Sequence, residues 1–199
     1  MSTTNDRVET LKLLEQPGDA LLVVDVQGDF LPGGALAVPH GDQVIPPLNA
    51  WLARASRSGA PIFASRDWHP PDHCSFRAQG GIWPPHCVAG TPGARVAAAL
   101  ELPPQAQIVD KGTDPRCEAY SAFADTGLAE RLRACKVNRL VVGGVATDYW
   151  VLNSVRDALA AGFEVFIRED AIRAVDVHPG DGDKAKDEMR TAGAHLIVA

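Results

Sequence analysis

Apolar residues in this chain gather in short blocks, separated by stretches in which they recur every three or four positions. Residues 20–25 form the first block, aliphatic throughout and closing on an acid, and predict a buried strand. Residues 43–58 carry apolar positions at helical spacing and stop at Gly59, a suitable C-cap. Residues 61–65, 107–110 and 139–143 predict the second, third and fourth strands. The clearest helix covers 148–161, followed by Gly162 and a fifth strand at 164–167. A last helix over 184–192 ends at Gly193, and 195–198 predicts the final strand. Strands this short and this uniformly apolar are covered on both faces. Alternating with helices, and joined by right-handed crossovers, they predict an α/β fold: a three-layer, doubly wound, mainly parallel sheet of about six strands.

Length and composition narrow this picture. A chain of 199 residues fits a single domain, here with a polar N-terminal extension over 1–18. A net charge of −6 and no basic block argue against nucleic-acid or anionic-membrane partners. No apolar run approaches the roughly 20 residues that span a bilayer. The polar, acidic start lacks the apolar segment of a signal peptide, so a cytoplasmic location is expected. Cys74, Cys87, Cys117 and Cys135 form no Cys-x-x-Cys pair, and free thiols are expected.

The stretch 66–92 has little periodicity and holds three of the six histidines; an ordered loop of that length is usually functional. It follows the second strand directly, and doubly wound sheets bind ligands beyond the carboxyl ends of strands. Asp67 and His69 are two apart, so an extended chain projects both to one side. His86 arrives from the far end of the loop. One carboxylate and two imidazoles form a set suited to zinc, iron or manganese, with positions left open for water or ligand. By spacing alone the pattern is loose, and a surface loop of incidental histidines is the competing reading.

The wider motifs decide between these. Asp67-Trp68-His69-Pro70-Pro71-Asp72-His73-Cys74-Ser75-Phe76 and Gly80-Gly81-Ile82-Trp83-Pro84-Pro85-His86-Cys87 resemble the metal loop of nicotinamidases, in the isochorismatase-like hydrolase family. Val24-Asp25-Val26-Gln27-Gly28-Asp29-Phe30 is similar to that family's opening strand and loop. Lys111-Gly112-Thr113-Asp114-Pro115 with Tyr120-Ser121-Ala122-Phe123 resembles its lysine segment. Gly143-Gly144-Val145-Ala146-Thr147-Asp148-Tyr149 resembles its nucleophile loop, and Asp170-Ala171-Ile172-Arg173 the segment after its fifth strand.

The resemblance implies hydrolysis of nicotinamide to nicotinate and ammonia through a cysteine thioester, in nicotinamide salvage. It implies that Asp25 handles the thiol proton, that Lys111 keeps the thiolate charged, and that backbone N–H groups of Ala146 and residue 150 form an oxyanion hole. It implies one divalent metal, zinc before iron or manganese, on Asp67, His69 and His86, with His73 or Ser75 as candidates to complete the shell. Phe30, Trp83 and Tyr120 would wall the substrate pocket; as single residues, Phe30 and Tyr120 also read as plain core. The expected partner is a small-molecule amide, and a homo-oligomer is compatible.

One position departs from the pattern. Where the family carries cysteine, this chain carries Trp150. Indole offers an N–H donor and no nucleophile. Three readings stay open: a substitution in an otherwise active enzyme, a protein that binds ligand or metal without turnover, or other chemistry on the same fold.

Overall fold

The computed structural model describes residues 12–197. Its elements are β1 (Asp19–Val24), α1 (Ile45–Ser58), β2 (Ile62–Asp67), β3 (Gln107–Lys111), α2 (Leu128–Ala134), β4 (Arg139–Val145), a π-helical turn (Thr147–Val151), α3 (Leu152–Ala160), β5 (Glu164–Arg173), α4 (Asp181–Thr191) and β6 (His195–Ile197). The strands form one sheet in the order β3-β2-β1-β4-β5-β6, every pair parallel. Helix α1 lies against β1, β2 and β5, while α3 lies against β5 and α4 against β6 and α3. Right-handed crossovers running in opposite directions from the middle of the sheet put α1 on one face and α3 and α4 on the other. The three-layer, doubly wound fold expected from the pattern is the fold observed.

Burial explains why the strands read as continuous apolar runs. All six residues of β1 are buried. The chain leaves β1 toward β2 in one direction and leaves β4 toward β5 in the other. The crevice at this switch point, beyond the carboxyl ends of β1 and β4, is where such sheets bind ligands. The two strands come unusually close there. Gly144 has φ +138°, and a Cβ on it would sit 2.0 Å from the Val24 carbonyl oxygen, so only glycine fits.

Several boundaries differ from the expectation. The helix read over 148–161 begins as the π-helical turn, in which the Val151 N–H reaches back to the Ala146 carbonyl, and becomes α-helical only from Leu152. Strand β5 runs on to Arg173 past a register shift opposite Val142 and Gly144, a bulge that apolar patterning does not reveal. Helix α4 starts at Asp181, before its apolar positions, because the carboxylates of Asp176 and Asp181 accept from the Gly182 and His178 N–H groups. Helix α2 was not anticipated; its signal is the single spaced pair Leu128 and Leu132, both fully buried. Within the expected polar extension, Leu13 and Leu14 are fully buried core residues; residues 1–11, and position 198 of the last strand, lie outside the described residues. All four cysteines are free thiols.

Candidate active site

The crevice is built from strand ends. Asp25 follows β1, Asp67 closes β2, Lys111 closes β3, and the cis Val145–Ala146 peptide ends β4. Asp25, Asp67 and Lys111 are each at most 1% exposed, so three formal charges sit in a dry interior. Such charges are tolerated only when paired. Lys111 Nζ lies 2.8 Å from Asp25 Oδ2, bonds Asp67 Oδ1, and donates to the Ala119 carbonyl at 3.0 Å. Asp25 Oδ1 accepts from Ser65 Oγ at 2.6 Å. Its other oxygen, Oδ2, is buried and faces the Lys111 ammonium.

The electrostatics separate the two carboxylates. Burial, reinforced by the Asp67 charge and opposed by Lys111, raises Asp25 to about 6. Burial would also raise Asp67, but Lys111 and the contact with His69 outweigh it and hold that carboxyl well below the usual range. Burial would lower Lys111; the two aspartates reverse this and keep its ammonium charged.

Asp67, His69 and His86 place ligand atoms within 4.8 Å of one another, all three residues buried. His69 Nε2 is 3.3 Å and His86 Nε2 is 3.9 Å from Asp67 Oδ2. The opposite ring nitrogens face backbone carbonyls: His69 Nδ1 to Gly112 at 2.9 Å and His86 Nδ1 to Pro84 at 2.8 Å. Donation to those carbonyls places the proton on Nδ1 and leaves Nε2 with its lone pair, the arrangement a metal requires. The donor set therefore fits a divalent transition metal, and it is the metal-capable cluster found among the described residues.

His73 and Ser75 are placed differently. His73 Nδ1 pairs with Ser75 Oγ at 2.7 Å, and its Nε2 lies 3.0 Å from the Cys117 carbonyl. Both ring nitrogens are thereby occupied, and the ring stacks on His69 with centroids 4.0 Å apart.

Trp83 and Tyr120 border the crevice, with Trp83 Nε1 donating to the Tyr120 hydroxyl at 3.1 Å. Tyr149 meets the Trp83 ring edge-on at 5.4 Å. Phe30 is fully buried and does not line the open space, because Trp150 covers it with ring centroids 4.3 Å apart. Trp150 is itself only 3% exposed, and Lys111 Nζ stands 5.7 Å from its ring centroid. The cavity left above the three ligand residues measures about 10 Å³. That is room for one water at most. Larger clefts lie elsewhere, about 220 Å³ beside Thr147 and Lys186 and about 430 Å³ beside Gly18 and Cys135, but neither touches the Asp25–Lys111–Asp67 cluster.

Several positioning residues lie within the quoted motifs without a role that their sequence positions announce. Gln27 is fully buried, and its amide donates to the Asp67 carbonyl at 2.8 Å and the Ala94 carbonyl at 2.9 Å, while accepting from the Asp67 N–H at 2.7 Å. Asp29 accepts from the Cys87 N–H at 2.7 Å and so fixes the residue next to His86. Gly112 has φ +62°, and a Cβ there would meet His69 Cε1 at 2.4 Å. A buried glutamine and an acid just past an apolar strand demand partners, and that demand was the available signal.

The sheet order and this crevice define a doubly wound α/β domain with a metal-capable, acid- and lysine-bearing site at its switch point. The chain belongs to the Isochorismatase domain family, which matches residues 19–199. It is 38% identical to the nicotinamidase of Escherichia coli (strain K12) over 203 residues, covering 92% of this chain and 95% of that protein. The pyrazinamidase of Pyrococcus horikoshii, solved in complex with zinc, superposes with a TM-score of 0.88 at 46% identity, covering 92% of this chain and 100% of that one. PnC1 from L. infantum, solved in complex with nicotinate, gives a TM-score of 0.81 at 34% identity, covering 92% and 96% respectively.

Proposed function

We propose that this crevice is a nicotinamidase-type amide hydrolase site whose acyl-transfer step is silenced by Trp150. Asp25 carries the reading. A buried carboxylate paired with a lysine, and raised by burial to about 6, can take up and release a proton. A thiol at position 150 is the donor that would supply it. Asp25 would take the thiol proton and return it to the departing amine, while Lys111 would hold the resulting charge. Backbone N–H groups of Ala146 and position 150 would face the developing oxyanion.

Asp67, His69 and His86 would hold the metal, zinc first, with iron and manganese as the other candidates. Held there, a metal would supply Lewis acidity at the positions that the three residues leave open for a ligand. Lys111 occupies one Asp67 oxygen, leaving Oδ2 as the ligand atom. His73 would act by stacking on and orienting His69, with Ser75 Oγ holding the His73 ring through Nδ1. The substrate class is a small aromatic amide such as nicotinamide, as the likeness to nicotinamidases and to a nicotinate-bound structure supports, in a cytoplasmic protein with no nucleic-acid or membrane partner.

The cavity of about 10 Å³ favours a second reading, a metal-binding protein that neither admits substrate nor turns it over. Ammonia release separates the two. Zinc-loaded Trp150→Cys protein should hydrolyse nicotinamide, and Asp25→Ala or Lys111→Ala added to it should abolish this. Strong turnover by the unchanged chain would show that another residue attacks. An inert Trp150→Cys protein that still binds zinc and nicotinamide would defeat the hydrolase reading.

A further inference from the structure

We infer that Glu118 is a specificity-determining residue at the rim of the crevice, setting its preference for a neutral amide over the carboxylate formed from it. The inference rests on the amide-hydrolase reading. Glu118 lies in the segment between Lys111 and Tyr120 and borders the same cavity as Asp67, His69 and Trp83. Among the described residues its carboxylate has no ion-pair partner. It is exposed, and it is not part of the ligand set that closes on Asp67.

Charge arithmetic gives this position a consequence. Asp25 and Asp67 against Lys111 leave one negative charge inside, and a divalent metal turns that into one positive charge. An interior of that sign holds an anionic product and is indifferent to a neutral amide. Hydrolysis converts one into the other. An unpaired carboxylate at the rim opposes the product selectively, because Coulomb repulsion acts on the acid and not on the amide. At an exposed rim water and salt screen this repulsion, so its effect is modest and falls as ionic strength rises.

The test is calorimetric titration of zinc-loaded Trp150→Ala protein, which has room for a ligand and no nucleophile, with and without Glu118→Gln. Glu118→Gln should tighten nicotinate binding about fivefold and shift nicotinamide less than about twofold, with the difference shrinking as salt rises. Glu118→Asp, which keeps the charge, should restore most of the discrimination. Zinc content should be equal in all three. Unchanged nicotinate affinity, or parallel shifts for both ligands, would overturn the role, and a fall in zinc content would make Glu118 a ligand instead. If Trp150→Ala protein folds and binds zinc but neither ligand, the amide-hydrolase reading falls together with the inference. If it binds both and Glu118→Gln changes nothing, only the inference falls. Should Trp150→Ala fail to fold, Trp150→Cys carries the same comparison through the inhibition constant for nicotinate.

Discussion

The indole of Trp150 lies against the ring of Phe30, centroids 4.3 Å apart at a tilt of 35°. An offset aromatic contact of this kind is favourable. It also occupies the space that Phe30 would otherwise present to a ligand.

Trp150→Ala should therefore trade stability for access. Loss of a buried indole should lower unfolding free energy by about 3–5 kcal/mol, read by chemical denaturation. The same variant should bind nicotinamide and nicotinate more tightly than the unchanged chain, read by titration calorimetry on zinc-loaded protein. Equal binding by both would place the indole outside the ligand path.

Metal binding should depend on the Gly112 and Pro84 carbonyls that orient the two imidazoles as well as on the ligands themselves. His69→Ala and His86→Ala should each lose most bound metal, measured by elemental analysis after exhaustive dialysis. Gly112→Ala should lose it too, without removing any ligand, because its Cβ would displace His69 from a contact of 2.4 Å. A reduction of about 10- to 100-fold in affinity is expected when a ligand's orientation is disturbed in this way. Full occupancy in Gly112→Ala would show that the His69 orientation is set elsewhere.

Lys111→Met should be costly in a way that Lys111 itself does not advertise. Removing the one cation leaves Asp25 and Asp67 facing each other in a dry site, a change worth about 3–5 kcal/mol. Adding Asp25→Asn to Lys111→Met should recover part of that loss, since one charge fewer then needs a partner. A denaturation midpoint that does not recover would assign the cost to packing of the lysine stem.

Asp25 should titrate far above an ordinary carboxylate in the metal-free protein, near 6 against the usual 3.8, because burial disfavours its charge. The sign follows from the raised value. The fold prefers the neutral form, so this contribution to stability is complete below 3.8 and is withdrawn as pH rises through about 6. Asp25→Asn should flatten the stability profile across that window, measured by denaturation at intervals of pH. An identical slope in both proteins would mean that Asp25 keeps an ordinary pKa.

Much of this was legible in the order of residues alone. Uniformly apolar blocks such as β1 announced strands covered on both faces, and their alternation with helices left one simple assembly. Asp25, Lys111, Asp67, His69 and His86 could be singled out because the motifs around them resemble those of nicotinamidases; spacing alone left the ligand pattern loose. Trp150 could be marked as the departure for the same reason: a side chain without a nucleophile stands in a loop otherwise intact. Tertiary structure alone decided how these residues serve one another. Lys111 bridges Asp25 and Asp67 across three adjacent strand ends, a contact between residues 44 and 86 positions from it along the chain. His73 turns both nitrogens to protein partners, and Gln27 clamps the peptide of Asp67, because buried polar groups must find partners wherever folding brings them. Whether the indole points into the crevice or away from it depended on free volume beside Phe30, and free volume is a property of the packed molecule, not of any stretch of chain.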